Sequence, residues 1–101
     1  MRMNPMESPA TDPRLLHLAP EDNLCAAART LEAGEVVLFR GRELRIAQRS
    51  PTGHKVAIEA IAAGQKVRKY GAPIGSATCD IRPGESIHTH SLRSDYLPTY
   101  A

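Results

Sequence analysis

The chain has 101 residues, 42% of them hydrophobic but with no Trp, one Phe and three Tyr, so it encodes one domain whose core must come from Leu, Ile and Val. Thirteen basic residues stand against eleven acidic ones for a net charge of +2, scattered rather than gathered into a stripe with aromatic platforms, which argues against nucleic-acid binding. No apolar run is long enough to cross a bilayer and residues 1–13 contain no signal-peptide core, so the expectation is a cytoplasmic protein without membrane contact.

In chain order, residues 1–14 carry three prolines and little periodicity, and are expected to form a disordered leader. Leu15, Leu16 and Leu18 around His17 read as a short strand stopped at Pro20. Asp22 is placed to cap a short helix, with Leu24, Ala27, Ala28 and Leu31 at helical spacing and Gly34 ending it. Beyond Gly34 come short strands divided by glycine or proline: Val36, Val37, Leu38 and Phe39, then Leu44 and Ile46 about Arg45, then Val56 and Ile58, Val67, and Ile87. Residues 15–92 make the domain, mainly β with one short helix, and residues 93–101 read as a tail or linker. Cys25 and Cys79 have no CxxC partner and are expected to be reduced and buried.

A short motif recurs: Leu31-Glu32-Ala33-Gly34, Ile61-Ala62-Ala63-Gly64 and Ile81-Arg82-Pro83-Gly84, each followed by two further residues and an aliphatic one. It reads as an aliphatic anchor, a turn whose Gly accepts positive φ, and a strand that packs back. The spacing is too short and irregular for a solenoid, and points to the recurring corner of a folded-over β module.

Between the corners lie side chains suited to chemistry. In Gly53-His54-Lys55, Gly permits a tight turn, His exchanges protons near neutral pH, and Lys supplies a point charge for a carboxylate; the bland reading is a turn with a solvated pair. In Lys69-Tyr70-Gly71, Lys69 is suited to face an acid group, Tyr70 to either packing or a site, and neighbouring Arg68 to solvent. If His88-Thr89-His90 is extended, its two imidazoles share a face and can contact one ion or one anionic ligand; a third metal ligand would have to come from His54, an acid or another chain. Asp22 is explained by capping, while Asn23 is less readily explained by propensity, and both are secondary site candidates.

Taken in order, Asp22-Asn23, Gly53-His54-Lys55, the corner at Ile61, Lys69-Tyr70-Gly71, Pro73-Ile74-Gly75, the corner at Ile81 and His88-Thr89-His90 resemble the SAF domain, of β-clip fold. It forms the N-terminal part of the altronate and galactarate dehydratase family and the small subunit of sulfolactate sulfo-lyase. Where the family pattern has Asn after His-Thr-His, this chain has Ser91. The resemblance implies a lyase eliminating water or sulfite from a hydroxy acid such as altronate, galactarate or sulfolactate. It implies His54, Lys55, Lys69 and Tyr70 as catalytic candidates, and Asp22, Asn23, His88, His90 and Ser91 as substrate-binding ones. It further implies ferrous iron or another divalent ion, with His88 and His90 as donors, shared with or held by a larger catalytic subunit whose active site this chain completes. The chain is then inactive alone, and homo-oligomers remain possible. The alternative is a non-catalytic SAF module that binds a carbohydrate or acidic ligand, or scaffolds an assembly.

Overall fold

Each of the three aliphatic-x-x-Gly motifs forms a corner, and the corners dictate how the strands fold over. In the computed structural model, which describes residues 10–88 and 91–93, Gly34, Gly64 and Gly84 have φ of 86°, 87° and 89°. The N–H of the next residue closes each turn, from Glu35 to the Glu32 carbonyl at 3.2 Å, Gln65 to Ala62 at 2.9 Å and Glu85 to Arg82 at 3.1 Å. Positive φ at the third turn position is what a type II turn requires, and Gly meets it without a Cβ penalty. The side chains of Glu35, Gln65 and Glu85 reach back and accept from the N–H of Glu32, Ala62 and Arg82 at 2.7, 2.7 and 2.5 Å.

The strands are β1 (Leu15–Leu16), β2 (Leu24–Ala27), β3 (Val36–Phe39), β4 (Arg42–Arg45), β5 (Lys55–Ala57), β6 (Lys66–Lys69), β7 (Ala72–Ala77) and β8 (Leu92–Arg93). All pairing is antiparallel, in sheets ordered β1-β2-β5, β3-β4 and β6-β7-β8. This mainly-β architecture of small sheets fits the β-clip fold expected from the resemblance.

Residues 25–50 and 55–81 are two copies of one unit, a central strand followed by a corner, a hairpin and a closing bridge. Leu31 bridges Ser50 in the first and Ile61 bridges Ile81 in the second. Gly34 donates to Ile46 and Gly64 to Ala77, while Ala27 donates to His54 and Ala57 to Glu85. The second copy absorbs its extra residue as a bulge between Val67 and Arg68. Each copy owns a core: Leu31, Val37, Phe39, Leu44 and Ile46 in one, Ile61, Val67, Ala77, Ile81 and Ile87 in the other. The β2–β5 pair is their common wall, because the two-residue period of a strand sends Cys25, Ala27, Val56 and Ile58 into the first core and Leu24 and Ala57 into the second.

That shared wall explains why the helix expected after Asp22 is replaced by β2. A strand covered on both faces is apolar throughout, so Leu24-Cys25-Ala26-Ala27 satisfies a helical pattern by accident. The structure also corrects the expectation for Cys79, which is exposed in the bend between β7 and Ile81; Gln48 occupies the matching bend of the first copy and is exposed too. Cys25 is buried as expected, and burial, aided by the charge of Asp22, pushes its thiol up to about 12. Of the segment expected as a leader, residues 10–14 lie along the first hairpin. Gly41 donates to the Ala10 carbonyl and Asp12 to that of Leu38, while Arg14 bridges Asp12 and Glu35, each at 3.0 Å. Residues 1–9 and 94–101 lie outside the described residues.

A Cβ at Gly84 would run into the Arg45 carbonyl oxygen, whereas one at Gly64 meets nothing within 4 Å. Gly64→Ala should therefore cost only the positive-φ penalty of about 1–2 kcal/mol, and Gly84→Ala should add about 1–3 kcal/mol of overpacking. Equal losses in thermal unfolding would contradict the packing. Iodoacetamide should label Cys79 and spare Cys25 in the native protein. Because the unfolded Cys25 thiol ionises near 9.0 and the folded one near 12, its contribution is complete below the first value and is lost as pH rises through the second. Urea unfolding should show an alkaline loss of stability that is smaller in Cys25→Ala.

Candidate functional site

The candidate residues fall into two groups at opposite ends of the β2–β5 wall. At one end, the chain entering β2 carries Asp22 and Asn23, both buried, and both fasten the β6–β7 hairpin. The Asp22 carboxylate accepts from the N–H groups of Tyr70 at 2.9 Å, Gly71 at 2.7 Å and Ala19 at 3.1 Å. Asn23 donates to the Lys66 carbonyl and accepts from the Arg68 N–H, both at 2.9 Å, so its amide pairs with β6 as a strand would. Tyr70 has φ of 58° at the tip of a two-residue turn, a conformation that costs a bulky residue energy and that the Asp22 carboxylate holds in place. Tyr70 is 69% exposed, with the Lys69 ammonium 5.3 Å from its ring centroid, so it does not serve the core. Arg68 is exposed, as expected.

At the other end, residues 50–53 form a fourth corner, Ser50-Pro51-Thr52-Gly53, with φ of 88° at Gly53 and a 3.0 Å bond from the His54 N–H to the Pro51 carbonyl. His54 occupies the place held by Glu35, Gln65 and Glu85 in the other corners. Those side chains satisfy the N–H of the first turn residue, but here that residue is Pro51, which has no N–H. Position 54 is thereby released from the structural duty that selects Glu or Gln, and it carries an exposed imidazole.

The segment leading to His88 meets the edge of β5. Val56 bridges Ser86 in antiparallel fashion, flanked by bonds from Ala57 to Glu85 and from Ile87 to Lys55, both at 2.9 Å. His54 and His88 are the next residues beyond this bonded stretch on the two segments, and Lys55 is half-buried. A polar network fixes this segment: the buried Ser50 and Ser86 hydroxyls share a 2.7 Å bond, Ser50 donates to the Gln48 carbonyl, and the Gln48 amide oxygen accepts from the Ser86 N–H. Ser91 is buried, and its hydroxyl accepts from the N–H of His88 at 2.9 Å and donates to its carbonyl at 3.0 Å. Its hydrogen bonds thus serve the main chain.

The structure accordingly brings His54, Lys55, His88 and Ser91 to one end, and Asp22, Asn23, Lys69 and Tyr70 to the other. The rise of an extended chain along β2 separates the two groups by on the order of 15 Å. His90 lies outside the described residues, and among those described no group of three or more His, Cys, Asp or Glu side chains is arranged to hold a metal ion. His88 therefore offers one donor, and the described part of this chain does not make up a ligand set.

Sequence reading missed Pro51 and the Gln48–Ser50–Ser86 network. The signal for Pro51 was present, since aligning the corners sets it against Glu32, Ala62 and Arg82, but its corner begins with Ser50 rather than an aliphatic residue. It also missed His17, whose Nε2 lies 2.8 Å from the Asp22 carbonyl oxygen.

Asp22→Ala would leave the N–H groups of Ala19, Tyr70 and Gly71 without their acceptor. At about 1–3 kcal/mol for a buried unsatisfied group, discounted for solvent at the tip, the loss should be about 2–4 kcal/mol. Faster amide hydrogen exchange at Tyr70 and Gly71 should accompany it, and unchanged exchange there would contradict the assignment.

The family model described as the altronate/galactarate dehydratase SAF domain matches residues 13–95. The altronate dehydratase of Bacillus subtilis (strain 168) is 35% identical over 75 residues, which cover 74% of this chain and 15% of that enzyme. The altronate dehydratase of Escherichia coli (strain K12) is 38% identical over 74 residues, with 73% and 15% covered. The (2R)-sulfolactate sulfo-lyase subunit alpha of Chromohalobacter salexigens is 34% identical over 70 residues, covering 63% of this chain and 74% of that subunit. The chain thus spans only a small part of the dehydratases but most of the length of a lyase subunit. With the corner geometry, the all-strand architecture and a family match over most of its length, the chain belongs to the SAF-domain family of the altronate and galactarate dehydratases.

Proposed function

We propose that the chain is the small subunit or N-terminal domain of a lyase that removes water or sulfite from a hydroxy acid such as altronate, galactarate or sulfolactate, and that it completes the active site of a larger catalytic partner. The observation that supports this reading is the antiparallel bridge between Val56 and Ser86, extended by the bond from the Ile87 N–H to the Lys55 carbonyl, which brings the segments carrying His54 and His88 to the same end of β5. Abstracting the proton α to a carboxylate builds charge on an enolate, so the reaction needs a base, a cation near the carboxylate and an acid for the leaving group. In this reading His54 takes the proton, Lys55 faces the carboxylate, and His88 donates to the departing oxygen or sulfonate. Lys69 and Tyr70, at the far end of the wall, are given no part in proton transfer. A ferrous or other divalent ion would stabilise the enolate charge when bound; with His88 used as the acid, His90 is the donor this chain would offer, and the remainder would come from the partner.

The test is to recover the complex from the native cell with its larger partner and assay it on altronate, galactarate and sulfolactate, with and without ferrous ion. His54→Ala and His88→Ala should each lower turnover about 10²–10⁴-fold, the range of general acid–base catalysis, with thermal unfolding of this domain unchanged. Wild-type turnover in both variants would sink the assignment. A complex that binds these acids without converting any of them would favour a non-catalytic binding module.

A further inference from the structure

The Lys69-Tyr70-Gly71 motif has no part in the proposed proton transfer, and the packing of the domain does not account for it. Among the described residues Tyr70 is the most exposed large apolar side chain, ahead of Val36, in a chain with one Phe, three Tyr and no Trp. Leaving an aromatic ring in water forgoes one of the largest gains that side-chain burial offers.

The backbone of the tip belongs to the fold, since positive φ recurs at Arg40 in the first hairpin and at Tyr70 in the second, each followed by Gly. The side chains differ. Arg40 turns back onto its own chain, with its guanidinium 5.6 Å from the Phe39 centroid and its Nη2 3.4 Å from His17 Nδ1. The ring contact of Tyr70 is with the Lys69 ammonium, 5.3 Å from the centroid, and this leaves Tyr70 exposed. Asn, Asp or Gly serves such a two-residue turn best, so turn chemistry does not select Tyr.

The tip beneath the ring is nevertheless well held. The buried Asp22 carboxylate accepts from the N–H groups of Tyr70 at 2.9 Å and Gly71 at 2.7 Å. A Cβ at Gly71 would meet Glu21 Oε2 at 2.7 Å and Ala19 Cβ at 3.6 Å, so the tip sits against residues 19–22. On a backbone fixed in this way, Tyr has only its own few torsions to lose on being covered, which is why it is favoured as an anchor in interfaces.

We infer that Tyr70 is a docking anchor whose ring enters an apolar pocket on the larger catalytic partner, with a carboxylate at the pocket rim meeting the Lys69 ammonium. The partner is that of the lyase reading, on which this inference rests. Arg68 and Lys69 stand against Glu21 at the tip, and ion pairs among the described residues engage Arg14 and Arg49, so one cation is left over for a partner. A stable interface buries about 800 Å² on each side, a patch roughly 30 Å across, so one partner reaches both ends of the wall. The domain then docks through the Tyr70 end and offers His54 at the other.

The test uses the complex recovered with its larger partner, dissociated and reassembled with wild-type or variant chain. Affinity is read by titration calorimetry and turnover at saturating chain. Tyr70→Ala should weaken association roughly thirtyfold or more, the loss expected of an interface hot spot, and Tyr70→Phe should keep most of the affinity. Turnover at saturating Tyr70→Ala chain should match wild type, and the melting temperature of the chain alone should stay in place. Full affinity in Tyr70→Ala, or normal affinity with lowered turnover at saturation, would overturn the inference and leave the lyase reading standing. A complex that loosens in Tyr70→Ala, yet converts no hydroxy acid with the wild-type chain, would overturn the lyase reading alone. Absence of any larger partner in the recovered material would overturn both.

Discussion

Two adjacent side chains hold the halves of this domain in register. Asp22 and Asn23 enter the common wall at β2, yet every hydrogen bond made by their side chains goes to main chain, and most of those bonds reach the second hairpin. A carboxylate that accepts several N–H groups and an amide that pairs with a strand edge replace backbone partners that a simple ladder would have supplied. Without them the Tyr70–Gly71 tip would keep its strained φ with nothing to compensate it, and β6 would lose its neighbour on the β2 side. The first copy meets the same need with Ala10, Thr11 and Asp12, which lie along β3 and its tip.

The duplicated unit also shows how a position can be released from structural duty in a small fold. Three corners use Glu or Gln after the glycine to satisfy a turn N–H, and the fourth removes that N–H with Pro51. The position so released carries His54, just before β5, whose free edge meets the segment leading to His88. The buried Ser50–Ser86 hydroxyl pair, together with the bond from the Ser86 N–H to the Gln48 amide oxygen, holds that segment against β5.

Much of this was legible in the sequence because it depends on local backbone demands. The glycine corners, the short strands and the ordered motifs that mark the family each express a turn or a period-two pattern. The helix expected at Leu24 was not real, because hydrophobic periodicity cannot separate a helix from a strand that is buried on both faces. Asn23 resisted explanation by propensity and Asp22 was read as a helix cap, because their partners in the second hairpin lie more than forty residues away and no local rule links them. The separation of Lys69 and Tyr70 from His54 was equally hidden, since it follows from which end of β2 each motif meets. Cys79 was misread because a small apolar residue beside strand residues resembles core until the bend beyond β7 is known.

The central claim is that His54 and His88 act as one unit across the β5 ladder. It is tested most directly by a double-mutant cycle on turnover in the reconstituted complex, using His54→Ala, His88→Ala and the pair together. Residues that serve one proton-transfer site are strongly non-additive, so the double variant should be scarcely slower than the slower single variant. Losses that multiply would show that the two histidines work independently, and would contradict the account.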